Sequence, residues 1–143
     1  MKKLIFSCLL ALGAIALLQG CSSKVGQLSL RVQLVKLERK ADGSLLASLL
    51  FSNPSVYPLN LKESTHQLSL NGIPVGDLVV VEPIGVPSMQ TTTATVALTH
   101  RVGNAANVSG SVSYLLTSKL TLKIYDENDE KYKTSSSGTV VVQ

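Results

Sequence analysis

The stretch Leu68-Ser69-Leu70-Asn71-Gly72-Ile73-Pro74-Val75 decides the fold. Asn-Gly supplies the two positive φ values that a type I′ turn requires, and apolar residues alternate with small or polar ones on both sides. The octapeptide reads as a tight hairpin, with Leu70 opposite Ile73, Ser69 opposite Pro74 and Leu68 opposite Val75. Proline has no N–H to give to a ladder, so Pro74 predicts that its strand lies at a sheet edge.

Toward the N-terminus the same period of two continues. Leu28, Leu30, Val32 and Leu34 share one parity against Ser29, Arg31 and Gln33, which predicts a half-buried strand. Val35 and Leu37 shift the apolar set to the other parity, the mark of a bulge. Ala41-Asp42-Gly43-Ser44 is a turn signal, and Leu45, Ala47, Leu49 and Phe51 then form one wholly apolar face, as a central strand would. Asn53-Pro54 stops that strand and Tyr57-Pro58 adds a second stop.

Toward the C-terminus, Pro83, Gly85 and Pro87 precede Thr91 to Thr99, where Thr92, Ala94, Val96 and Leu98 oppose Thr93, Thr95, Ala97 and Thr99. Gly103 to Gly110 reads as an uncharged loop. Leu120, Leu122 and Ile124 face away from Lys119, Thr121, Lys123 and Tyr125, Asp126-Glu127-Asn128-Asp129 makes a polar turn, and Thr139 to Val142 is a final β-branched run. No useful helix-period stretch occurs in residues 28–143. The spacing predicts an all-β domain, an antiparallel β-sandwich of about seven strands.

The first residues follow other rules. Lys2 and Lys3, the apolar run Leu4 to Leu18 and small Gly20 are the charged, apolar and cleavage regions of an export signal, and the run is short for a bilayer span. Leu18-Gln19-Gly20-Cys21 is similar to the end of a bacterial lipoprotein signal peptide. That resemblance implies removal of residues 1–20 and acylation of Cys21 as the new first residue. Residues 21–27 then form the lipidated cysteine and a short tether, and 28–143 the domain. An ordinary secretory signal or an uncleaved anchor is the alternative. Ser22 and Ser23 stand where an inner-membrane lipoprotein carries Asp, which points to the periplasmic face of the outer membrane.

Of 143 residues, 143 − 20 = 123 would remain, enough for one domain with a core. The signal takes two lysines with it, leaving 13 − 2 = 11 basic against 9 acidic residues. Nearly neutral, and without a Lys/Arg cluster, the domain is not a nucleic-acid binder. Cys8 leaves with the signal and Cys21 is the lipid site, so no disulfide is available and packing must supply stability.

Catalytic chemistry finds no footing. The only histidines, His66 and His100, lie near no nucleophile motif; His66 reads as a strand-end residue and His100 as a solvent-facing one. Two histidines without a carboxylate or cysteine pattern make no zinc site. Asp126, Asn128 and Glu130 alternate as a calcium loop begins, but Lys131 and Ser137 replace its glycine and closing glutamate. No glycine-rich phosphate loop is present. The expectation is a non-enzyme without cofactor or metal.

Leu49-Leu50-Phe51-Ser52-Asn53-Pro54, then Tyr57-Pro58-Leu59, Leu68-Ser69-Leu70-Asn71-Gly72, Val86-Pro87-Ser88 and Gly110-Ser111-Val112-Ser113-Tyr114 come in an order that resembles the type-2 late embryogenesis abundant family. That family includes the WHy domain of water stress and hypersensitive response. The family often reads Asn-Pro-Asn where this chain has Asn53-Pro54-Ser55. The resemblance spans about Leu28 to Val142 and implies an immunoglobulin- or fibronectin-III-like sandwich, desiccation and stress protection, no catalytic site, and Asn53 and Pro54 as a fold signature. Lipidated copies in bacterial envelopes agree with the reading of Cys21. Independently, an Asn side chain can bond nearby backbone where a strand ends. The functional expectation is a lipid-anchored envelope protein that protects or binds stress-labile clients. The alternative is a docking subunit of an envelope protein complex.

Overall fold

In the computed structural model, residues 29–100, 108–124 and 128–143 are described. They form eight strands: β1 Arg31–Arg39, β2 Leu45–Ser52, β3 Leu59–Leu70, β4 Ile73–Val80, β5 Ile84–Val86, β6 Thr91–His100, β7 Gly110–Ile124 and β8 Asn128–Val142. No helix occurs among the described residues. The proposed signal, Cys21, the tether and Leu28 lie outside them, as do residues 101–107 and 125–127; of the expected turn Asp126–Asp129, Asn128 and Asp129 belong to β8.

The all-β expectation holds, but the sandwich does not. The strands run in the order β4-β6-β2-β1-β8-β7-β3-β5, and β4 also pairs β3, so one sheet closes into a ring of seven strands with short β5 beside β3. A sandwich would leave two separate sheets; here one sheet closes on itself, through short seams where β8 meets β1 at Val142 and β6 meets β4 at residues 98–100. Every pairing is antiparallel except β1 with β8, which run parallel and meet at Leu37 and Val142.

Bulges explain the curvature that closes the ring. Single extra residues interrupt the ladders at Val35 in β1, Lys62 in β3 and Val75 in β4. Each bends its strand and flips the inward parity. The bulge expected at Val35 is therefore found, with Leu34 and Leu37 both buried and Val35 half exposed. At Val75 the bulge moves the hairpin register: Leu70 faces Ile73 and Ser69 faces Pro74, but Leu68 faces Gly76 rather than Val75.

Pro74 does not mark an edge. β4 is paired on both sides, to β3 along Ser64–Leu70 and to β6 through Gly76, Asp77 and Leu78. The proline sits ahead of the β6-paired segment, so it deletes no bond from that ladder. At Gly76 the neighbouring backbone comes so close that a Cβ would collide with the Thr99 carbonyl. Glycine here lets β4 and β6 join.

Interior packing follows the alternation. Leu45, Ala47, Leu49 and Phe51 of β2 are fully buried, and Val112, Tyr114, Leu116, Leu120 and Leu122 of β7 point into the same core. At Asn71 (φ 49°) and Gly72 (φ 79°) the hairpin turn takes the conformation the sequence predicted. Asn71 Oδ1 accepts the Ser113 backbone N–H at 3.0 Å, which docks the turn on β7.

Strand direction defines two poles. The start of β1, the β2–β3 connection (53–58), the β5–β6 connection (87–90), the end of β7 and the start of β8 gather at one end, the near pole. The 40–44 turn, the Asn71-Gly72 turn, the start of β7 and Gln143 lie at the far pole.

Candidate functional site

Three features stand out: a buried histidine, an asparagine knot at the near pole, and a recess of mixed polar and apolar lining at the far pole. His66 is fully buried in the middle of β3, not at a strand end. The Lys62 bulge turns the even-numbered residues inward, placing Ser64 and His66 beside Leu68 in the interior. Ser64 Oγ lies 2.8 Å from His66 Nε2, and Ser118 Oγ, directly across the β3–β7 ladder, lies 2.7 Å from Nδ1. The ring stands edge-on to Phe51, with centroids 5.9 Å apart.

A neutral imidazole has one N–H donor and one acceptor nitrogen, and a hydroxyl can serve either. Both bonds are therefore satisfied without charge. Burial lowers the His66 pKa from 6.5 to about 4, since the barrel interior disfavours imidazolium. With no carboxylate among the ring's hydrogen-bond partners and no solvent access, this trio is a satisfied core network rather than a nucleophile–base pair.

Asn53, also buried, ties the near pole together. Its Nδ2 donates to the carbonyls of Tyr57 (2.8 Å), Val86 (3.0 Å) and Pro87 (3.2 Å), sharing two hydrogens among three acceptors. Its Oδ1 accepts from Ser55 N–H at 3.0 Å and Ser55 Oγ–H at 2.7 Å. Backbone bonds from Asn53 N–H to Gln90 O and from Met89 N–H to Ser55 O complete the lacing of the two connections. Pro54, next along, is exposed.

Around this knot the side chains face outward. Val56, Tyr57 and Met89 are 70, 63 and 69 % exposed. Met89 occupies a left-handed backbone conformation, φ 57°, which costs a non-glycine residue energy. At the far pole, Leu70, Ile73, Val75, Val108 and Val112 line a recess of about 260 Å³. Arg39 Nη2–H donates to Val108 O at 2.8 Å and fixes one wall.

Cys21 lies outside the described residues, as do Asp126 and the side chain of His100. Asn128 and Glu130 are exposed on β8. Among the described residues no group of three or more His, Cys, Asp or Glu is placed to hold a metal. Two interior residues escaped the sequence reading. Ser118 shares parity with Leu116, Leu120 and Leu122, so its inward direction was visible. Ser64 shares parity with His66, Leu68 and Leu70, but the polar run Lys62 to Gln67 gave no apolar signal that the strand extends to it.

A closed β-barrel with a buried, hydrogen-bonded histidine and a laced near pole is the class of protein that these features define. AT1g01470 from Arabidopsis thaliana, known as a solution structure, is similar at a TM-score of 0.59 and 16% identity, over 85% of this chain and 89% of that one. At2g46140.1, described as a candidate late embryogenesis abundant protein, is similar at a TM-score of 0.53 and 15% identity, over 98% of this chain and 84% of that one. The fold is thus one found among proteins of the late embryogenesis abundant type. No protein-family model and no curated protein matches the sequence.

Proposed function

We propose that this chain is a lipid-anchored, non-enzymatic protein of the bacterial envelope, whose barrel protects or binds other components under desiccation or envelope stress. The observation that carries the reading is the pairing of Leu18-Gln19-Gly20-Cys21 with a barrel of the late embryogenesis abundant type. The two belong together physically: an export signal delivers the domain, and acylated Cys21 holds it at the membrane, where each buried methylene contributes about 0.8 kcal/mol. Ser22-Ser23 favours the periplasmic face of the outer membrane. A neutral histidine closed off from solvent supports a binding surface over a reaction centre.

The full chain and a Cys21→Ala variant test the anchor. Acylated mature protein in the outer-membrane fraction, lost in the variant, is the expected result; a soluble, unacylated product would sink it. For protection, a dried or heated client enzyme should keep more activity with this protein than with an equal mass of an unrelated barrel. Equal survival would remove the stress role. The alternative role, docking within an envelope complex, would work through the pole loops or along the flank of β8, which β1 meets only at Val142.

A further inference from the structure

We infer that the 53–58 and 87–90 loops of the near pole form a lipid-contacting surface, in which Val56, Tyr57 and Met89 enter the membrane that holds Cys21. The inference rests on the proposed acylation and names the face the anchored domain turns toward its bilayer. Singly exposed apolar side chains are ordinary on protein surfaces. Here three gather on two loops laced by one asparagine, with Met89 N–H bonded to the carbonyl of Ser55, the residue before Val56.

Chain geometry supplies the occupant. β1 begins at the near pole, since Arg31 pairs with Ser52 and Ser52 with Thr91, so whatever precedes Ser29 joins the barrel at that end. From Cys21 to Ser29 is 29 − 21 = 8 residues, at most about 28 Å when fully extended. β1 itself, nine residues long, spans about 30 Å. Presenting the far pole to the membrane would use nearly all of the tether, whereas the near pole lies within easy reach.

The chemistry of the loops fits a lipid interface. Asn53 to Pro58 and Pro87 to Gln90 contain no charged residue; charges of this pole, such as Asp129 paired with Lys62 and exposed Glu130, stand on β3 and at the start of β8, outside the two loops. Asn53 satisfies the carbonyls of Tyr57, Val86 and Pro87 from inside, which removes much of the cost of dehydrating those loops. Tyrosine is a residue of membrane–water interfaces, with an apolar ring and a polar tip. Gln90 N–H bonds Pro87 O across a turn whose third residue is Met89, a place where glycine would sit without strain. A long apolar side chain is displayed there instead.

The test uses the full chain, produced in a bacterium that processes lipoproteins, with Val56→Cys or, as control, Ala41→Cys. After processing and acylation the introduced thiol is the only one free to take an environment-sensitive fluorophore. The protein is reconstituted in phosphatidylethanolamine–phosphatidylglycerol vesicles with brominated acyl chains. Several-fold stronger quenching at position 56 than at 41 is expected, and adding Met89→Gly with Tyr57→Ser should cut it by more than half. Met89→Gly relieves backbone strain, so a folded barrel is retained and the loss reports contact. Acylated protein with equal or absent quenching at 56 and 41 overturns the inference while leaving the anchor intact. Absence of the acyl mass overturns the anchor, and the orientation falls with it.

Discussion

His66 and Ser118 face each other across the β3–β7 ladder, Nδ1 to Oγ 2.7 Å, inside a barrel that disfavours charge. Burial lowers the imidazole pKa from 6.5 to about 4, so between those values the unfolded chain takes up a proton that the folded one refuses. The contribution is complete above about pH 6.5 and is lost as pH falls toward 4. Its slope is at most about 1.4 kcal/mol per pH unit and its total about 3 kcal/mol. Urea midpoints should fall from pH 7 to pH 4.5, and His66→Gln, which does not titrate, should flatten that part of the decline. An unchanged slope in the variant would place the acid sensitivity elsewhere.

Asn53 faces three carbonyls with its amide nitrogen and Ser55 with its oxygen. Asn53→Ala strands several buried groups and should cost about 3 kcal/mol. Asn53→Asp should be worse, because an acceptor-only carboxylate would confront the same three carbonyls. Chemical denaturation of both variants checks the order, and an aspartate variant as stable as the alanine one would contradict it.

Closure at β4–β6 depends on Gly76, where a side chain meets the Thr99 carbonyl. Gly76→Ala should lose at least about 3 kcal/mol, the upper end of overpacking costs, because the obstacle is backbone. Gly85→Ala, whose Cβ would meet only Asn60 Oδ1 at 3.8 Å, serves as the control and should be nearly neutral. Amide exchange should show β4 and β6 losing protection in the first variant and not in the second.

Met89 should be a site where a smaller residue stabilises. Its left-handed conformation, φ 57°, suits glycine, so Met89→Gly should gain about 1 kcal/mol despite the added freedom of the unfolded chain. A raised melting temperature in detergent-free buffer is the measurement; a fall would mean that the thioether makes stabilising contacts within the protein.

Much of the barrel was legible because inward and outward residues alternate. β2 and β6 read directly, as did the Asn71-Gly72 turn and the bulge at Val35. β8 did not: only Thr139 to Val142 was apparent, yet the strand begins at Asn128. Residues 128–138 are polar and mostly exposed, and pairing with all of β7, not burial, makes them a strand. The ring itself could not be read, because closure is set by pairings between segments distant in sequence, and the same spacing of strands serves sandwich and barrel alike. Pro74 misled for a related reason: an edge was inferred where the proline lies just ahead of the paired segment. His66 shares parity with Leu68 and Leu70, so its direction was legible; its place in mid-strand was not, because the polar run Lys62 to Gln67 hides that β3 reaches back to Leu59.

The parallel contact of β1 with β8 joins Leu37 to Val142, 142 − 37 = 105 residues apart. Loop closure over such a span is costly and slow, and the partner of β1 is the last strand the chain supplies. Until Val142 arrives, β1 and β7 each keep an unpaired flank, open to other chains. On the proposed export reading, a polypeptide threaded through a membrane from its N-terminus would remain uncommitted during passage, and would close its ring only when Val142 had crossed.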